Sequence, residues 1–218
     1  LAVNKGDSTR ADHGMHVAGT VGATVDNRTP PNFYSIGVDG ANPVVRLVGV
    51  PWGSPWLAKP ADANPKITQL NSMGSRFVSI VGRTLLVNPH YPRVVNASLG
   101  FNWYSNATLN PYTHADSTAI EAAVAHWGRI VSAIVNVAQE LRGPVLLCVA
   151  AGNDSNKPGT GNVRLNSRLG SPFTWAAHNG NANIVVVENI RINGTLASSS
   201  NNQGTVAAPG TGILSTVS

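Results

Sequence analysis

The feature that most restricts the fold of this chain is its alternation of short, β-branched apolar runs with longer segments of near-helical apolar spacing. The runs lie at 44–50, 93–98, 145–150 and 184–188. Only a few residues long, they read as strands, with 44–50 fitting a strand buried on both faces and 145–150 a further buried one. Between them, 13–25, 67–87 and 117–141 read as helices. In the last of these Ile120, Val124, Trp127, Ile130, Ile134, Val137 and Leu141 mark the expected apolar side. Gly143-Pro144 stops that helix, and Asp26-Asn27 followed by Thr29-Pro30-Pro31 stops the first. Shorter strand candidates lie near 195–198 and 204–207, and 152–172 is rich in turn residues. Helices and strands in this order predict an α/β fold with a mainly parallel sheet, whose ligands gather beyond the carboxyl ends of the strands. No linker-like run divides 1–218, so one domain is expected.

Composition narrows the class of function. The net charge is +5, from fifteen basic and ten acidic residues, but no stretch forms a Lys/Arg block, so no nucleic-acid partner is expected. No run approaches the ~18 apolar residues that a membrane span requires. Charged residues make up only 11%, which favours a secreted or extracytoplasmic protein. Cys148 is the single cysteine, so no intrachain disulfide forms, and its neighbours Leu146, Leu147 and Val149 predict a buried strand position. The first residues lack the basic start and apolar centre of a signal peptide.

Three stretches at expected element ends carry candidate chemistry. Asp12-His13-Gly14-Met15-His16-Val17-Ala18-Gly19-Thr20 sets two histidines three apart at an expected helix start. A histidine there can face a cleft while the helix behind it is rigid, which suits a general base. His-x-x-His is not the i, i+4 spacing of a metal-binding helix, and His16 reads as a structural histidine. The tips of two expected strands carry Ser98-Leu99-Gly100 and Ala151-Gly152-Asn153.

His13-Gly14-Met15-His16-Val17-Ala18-Gly19-Thr20 resembles the histidine motif of subtilisin-like serine proteases, with Met15 where the family usually has Thr. Asn96-Ala97-Ser98-Leu99-Gly100 resembles the family's substrate-binding strand, and Val149-Ala150-Ala151-Gly152-Asn153 its oxyanion-asparagine motif. Val206-Ala207-Ala208-Pro209-Gly210 resembles the segment that leads towards the nucleophile, and Ser35-Ile36-Gly37-Val38 is a shorter match. The resemblance implies a three-layer subtilisin-like fold, incomplete at both ends, and a serine endopeptidase working through an acyl-enzyme. His13 would be its general base and Asn153 its oxyanion donor. Ser98, Leu99, Gly100, Ala151 and Gly152 would line the peptide-binding site. His13 and Asn153 stand 140 residues apart, against roughly 90 in subtilisin. Insertions near 26–34, 52–65 and 101–115 would absorb the difference. The wall at 101–104 points to an apolar subsite.

The triad's other members are not assignable. Only twelve residues precede His13, where the family places its acid roughly thirty before. Asp12 is adjacent and diverges from it, and Asp7 would need a loop. Ser198, Ser199 and Ser200 lie in the wrong context, while Ser215 and Ser218 come too early for the nucleophile. The expectation is therefore a central portion of a subtilase, inactive by itself, with the missing Asp and Ser on a further segment or a second chain. The alternative is a non-catalytic scaffold that binds peptides or a partner protein. No cofactor is required. The family's calcium loop would fall at Asp26 and Asn27, where oxygen ligands are present.

Overall fold

The structure, a computed structural model, describes residues 8–23, 40–42, 44–50, 65–101, 103, 109–157 and 163–213. The chain falls into two compact units, Leu1–Val50 with Gly212–Ser218, and Pro51–Thr211.

The first unit is built on α1, Ser8–Gly22. Helix formation starts five residues before His13, which therefore sits in the second turn rather than at the helix start. Nothing between Ser8 and His13 breaks a helix, and once nucleated a helix extends cheaply to the nearest capping-type residue. Its other end comes earlier than the expected residue 25. The carbonyls of Thr20 and Val21 accept from the backbone amides of Ala41 and Asn42 at 2.9 Å each, which satisfies the last turn from outside the helix. Residues 44–50 do not form the expected strand, and Val44 is 91% exposed. Their β-branched content favours extended backbone, but a strand also needs a neighbour to bond, and none of the described residues pairs with this run.

The second unit holds a four-stranded parallel sheet in the order β1 (Val94–Ala97), β2 (Leu146–Ala150), β3 (Ile184–Ile190) and β4 (Val206–Pro209). Register places Val95, Leu147 and Ile184 in one row and Ala97 and Val149 in the next, level with Val186. These rows face the core that they share with α2 (Pro65–Gly82), α3 (His114–Arg142) and α4 (Pro172–His178). The opposite rows are more open: Val94 is 62% exposed, and Cys148 is half-buried rather than buried. Cys148 alternates with Leu147 and Val149, so its side chain points away from the three helices. What burial it has pushes its thiol above the ordinary value.

Helix α2 continues through a π turn, Arg83–Val87, so the helical stretch ends at the expected residue 87. In α3 the buried seam is Ile120, Val124, Gly128, Val131, Val135 and Ala138, while Val137 and Leu141 are exposed. The expected stripe repeats about every 3.5 residues and drifts around a straight helix, whereas the buried seam keeps the period of about 3.6. Helix α4 was not anticipated. Ser171 caps it, accepting from the Thr174 amide while Thr174 Oγ1 accepts from the Ser171 amide, and Pro172 occupies the first turn. The 195–198 run contributes only an isolated antiparallel bridge between Leu196 and Ile190.

One ion pair ties α2 to α3. Lys66 Nζ lies 2.6 Å from Asp116 Oδ1, and the Asn110 amide donates to Asp116 Oδ2 at 2.9 Å. Both interactions favour the ionised carboxyl and hold its pKa below the usual carboxylate range. A depressed folded-state pKa gives stability that is present above the unfolded value of about 4 and is lost as pH falls through the folded one. Thermal melts recorded from pH 7 downwards should show this acid limb, and Asp116→Asn should flatten it while lowering the neutral-pH midpoint.

Candidate active site

The carboxyl ends of β1 and β2 are neighbours, because Ala97 pairs with Val149. The chain leaving β1 is Ser98-Leu99-Gly100, and the chain leaving β2 is Ala151-Gly152-Asn153, so the structure brings these two groups of expected site residues to one end of the sheet. Gly170 separates and joins them. Its carbonyl accepts from the Phe101 amide at 2.7 Å, and a side chain on Gly170 would come within 2.6 Å of the Ala151 carbonyl oxygen. Only a glycine lets three backbone segments approach so closely.

Along the β1 exit the Leu99 amide donates to Ala97 and the Phe101 amide to Gly170. The partly exposed backbone of Gly100 makes no hydrogen bond within the described residues. It is therefore able to pair with an incoming extended peptide. Phe101 and Trp103 do not form a subsite wall: they are 2% and 3% exposed. They stack edge-to-face with each other at 4.7 Å, and Phe101 packs on Phe77 of α2 at 5.1 Å. Phe77 meets Phe173 of α4 in the same way. Large rings two residues apart on a chain leaving a strand have more to gain from this cluster than from lining a wet groove. Tyr104 lies outside the described residues.

Asn153 projects an exposed side chain from the β2 exit, beside Gly152 in the left-handed region at φ 103°. The segment is held from both sides. Asp154 is 3% exposed; its amide donates to Asn201 Oδ1 and its carbonyl accepts from the Tyr112 hydroxyl. Ser155 Oγ donates to the same Asn201 oxygen and accepts from the Leu165 amide. An exposed amide on a loop anchored in this way can be aimed at a reacting group with little reorganisation.

His13 is exposed on α1 of the first unit. Its neighbour His16 is half-buried, with Nε2 3.1 Å from the Ile213 carbonyl oxygen, a contact that ties α1 to a segment 197 residues away. Ser200, one of the serines considered for the nucleophile, is 1% exposed. Its hydroxyl accepts from the Asn189 amide and donates to the Asn201 carbonyl. The side chains of Asp7 and Asp12, together with Ser35-Ile36-Gly37-Val38, Ser215 and Ser218, lie outside the described residues. So do Asp26 and Asn27, and no group of three or more His, Cys, Asp or Glu able to hold a metal occurs among the described residues. None of the described helices is long and apolar enough to cross a membrane.

Asn201 and Gly170 were not singled out by sequence. Asn201 sits in the polar run Ser198-Ser199-Ser200-Asn201-Asn202, where composition predicts a solvated loop. For α4 a local signal exists, since Ser171-Pro172 followed by Thr174 is a helix-start pattern.

No curated protein matches the chain. The family model described as the subtilase family matches residues 3–218, nearly the whole sequence. A parallel α/β sheet flanked by helices and a family match of this extent lead to one assignment: the chain belongs to the subtilase family of serine peptidases.

Proposed function

We propose that the protein is a serine endopeptidase that cleaves peptide bonds through an acyl-enzyme. His13 takes the proton from the attacking serine and returns it to the leaving amine, and Asn153 donates its side-chain amide to the oxyanion. The substrate runs as an extended strand along Ser98-Leu99-Gly100, with Gly152 opposite and Ala151, 1% exposed and bonded through both its amide and its carbonyl, packed behind it. The observation that carries this reading is the pairing of β1 with β2. It sets the open backbone of Gly100 and the exposed amide of Asn153 at the same end of the sheet.

The orienting carboxylate and the attacking serine fall outside the assigned positions. We infer that a further stretch of polypeptide supplies both, and that the 218 residues alone do not turn substrate over. Calcium, where the family carries it, would support loop structure, and no step of the reaction runs through it. The low share of charged residues fits a site of action outside the cytoplasm.

The test is incubation of the protein, carrying every segment it has in the cell, with extended peptides under mass-spectrometric detection. Internal cleavage is expected, and a burst of released alcohol from an activated ester of the same acyl group would mark the acyl-enzyme. Saturable peptide binding without cleavage, by a protein carrying every segment it has in the cell, would establish a non-catalytic scaffold instead.

A further inference from the structure

Asn201 has no exposed surface, although it lies in a loop between two strands of which β4 is an edge strand. A fully buried polar side chain is costly unless its bonds are made, and the bonds of the Asn201 side chain and backbone amide all run to one place. Its Nδ2 donates to the Ala151 carbonyl at 3.0 Å. Its Oδ1 accepts from the Asp154 amide at 3.0 Å and from Ser155 Oγ at 3.1 Å. Its own backbone amide donates to the Gly152 carbonyl at 2.9 Å. The partners fix the orientation of the amide, since a carbonyl can only accept and a backbone N–H can only donate.

These four bonds bracket Asn153. They take the carbonyls of the two residues before it, the amide of the residue after it and the hydroxyl of the next. The fit also excludes a side chain at position 152: a Cβ there would stand 2.4 Å from Asn201 Nδ2, and φ of 103° already disfavours one. The loop that carries Asn201 is itself anchored. The Ala197 and Ser200 carbonyls accept from Arg164 Nη1 at 2.9 and 3.1 Å, and the Ser199 carbonyl accepts from the Ser155 amide at 3.1 Å.

We infer that Asn201 is a positioning residue: from the β3–β4 connection it sets the backbone of the β2 exit, and so the direction in which the Asn153 amide points. This inference rests on Asn153 being the oxyanion donor. Asn201 touches no substrate; its influence passes through the peptide units on either side of Asn153.

The experiment compares Asn201→Ala, the milder Ser155→Ala, Asn153→Ala and the Asn153→Ala/Asn201→Ala pair in the full chain, by amide hydrogen exchange and by kcat and KM for peptide hydrolysis. In Asn201→Ala the Asp154 amide should exchange at least about tenfold faster while Val149 and Val186 keep their protection, which separates local release from unfolding. The kcat should fall about 10- to 100-fold with KM changed less than about twofold, as expected for a displaced catalytic group. Ser155→Ala should move both readouts the same way by less. Because Asn201 acts through Asn153, the pair should be no slower than Asn153→Ala alone. Unchanged Asp154 exchange in a folded Asn201→Ala protein, or full additivity in the pair, would overturn the inference. A wild-type kcat in Asn153→Ala would instead overturn the oxyanion assignment, and exchange at Asp154 would then decide the clamp by itself.

Discussion

Replacing His13 with alanine should lower kcat for peptide hydrolysis by about a million-fold, the cost of removing the histidine from a serine triad. Nucleophilic serine chemistry depends on a base that accepts the hydroxyl proton as the bond forms, and no other group of the triad substitutes for it. KM should change little, because the ring moves a proton and does not hold the ground-state peptide. The fold should tolerate the change. His13 is exposed in the second turn of α1, and alanine is the best helix former, so a shift in melting temperature is not expected. Kinetics with a fluorogenic peptide beside a thermal melt of the same preparation check both halves. A loss of activity that tracked a loss of structure would contradict the role given to His13.

Asn153→Ala carries the second-largest expected effect, a fall in kcat of about 10²–10³, or about 3–4 kcal/mol of transition-state stabilisation, at nearly constant KM. An oxyanion exists in the tetrahedral intermediate and not in the bound peptide, so a donor aimed at it stabilises the transition state selectively. The side chain is exposed at the β2 exit while Asp154 and Ser155 behind it are buried. Truncating Asn153 therefore removes a donor without opening a cavity, and stability should stay within about 0.5 kcal/mol. Asn153→Ala and Asn201→Ala thus differ in kind: one deletes the donor, and the other leaves it present but unguided.

Much of the second unit was legible from sequence because its signals are local. β1, β2 and β3 are short runs rich in valine, leucine or isoleucine, and α2 and α3 carry sustained helical spacing, so these elements appear within a few residues of their expected places. The candidate residues Ser98-Leu99-Gly100 and Ala151-Gly152-Asn153 stand where strand ends were expected, and the parallel register sets them at one end of the sheet. What sequence did not reveal depends on partners distant in the chain. Asn201 looks like loop composition until Ala151, Gly152, Asp154 and Ser155 are seen to enclose it. Phe101 and Trp103 look like a subsite wall until Phe77 and Leu169 are placed against them; the Trp103 ring nitrogen donates to the Leu169 carbonyl at 3.0 Å. The run at 44–50 shows the opposite error, a strand propensity that no described neighbour completes.

Labelling by a serine-directed fluorophosphonate, read out as intact mass, decides whether His13 and Asn153 serve a working serine peptidase. Stoichiometric labelling of the protein that carries this sequence, on a species heavier than the 22.7 kDa of these 218 residues, is expected, with loss of that labelling in His13→Ala. An intact mass close to 22.7 kDa with no label at any concentration of the reagent would contradict it.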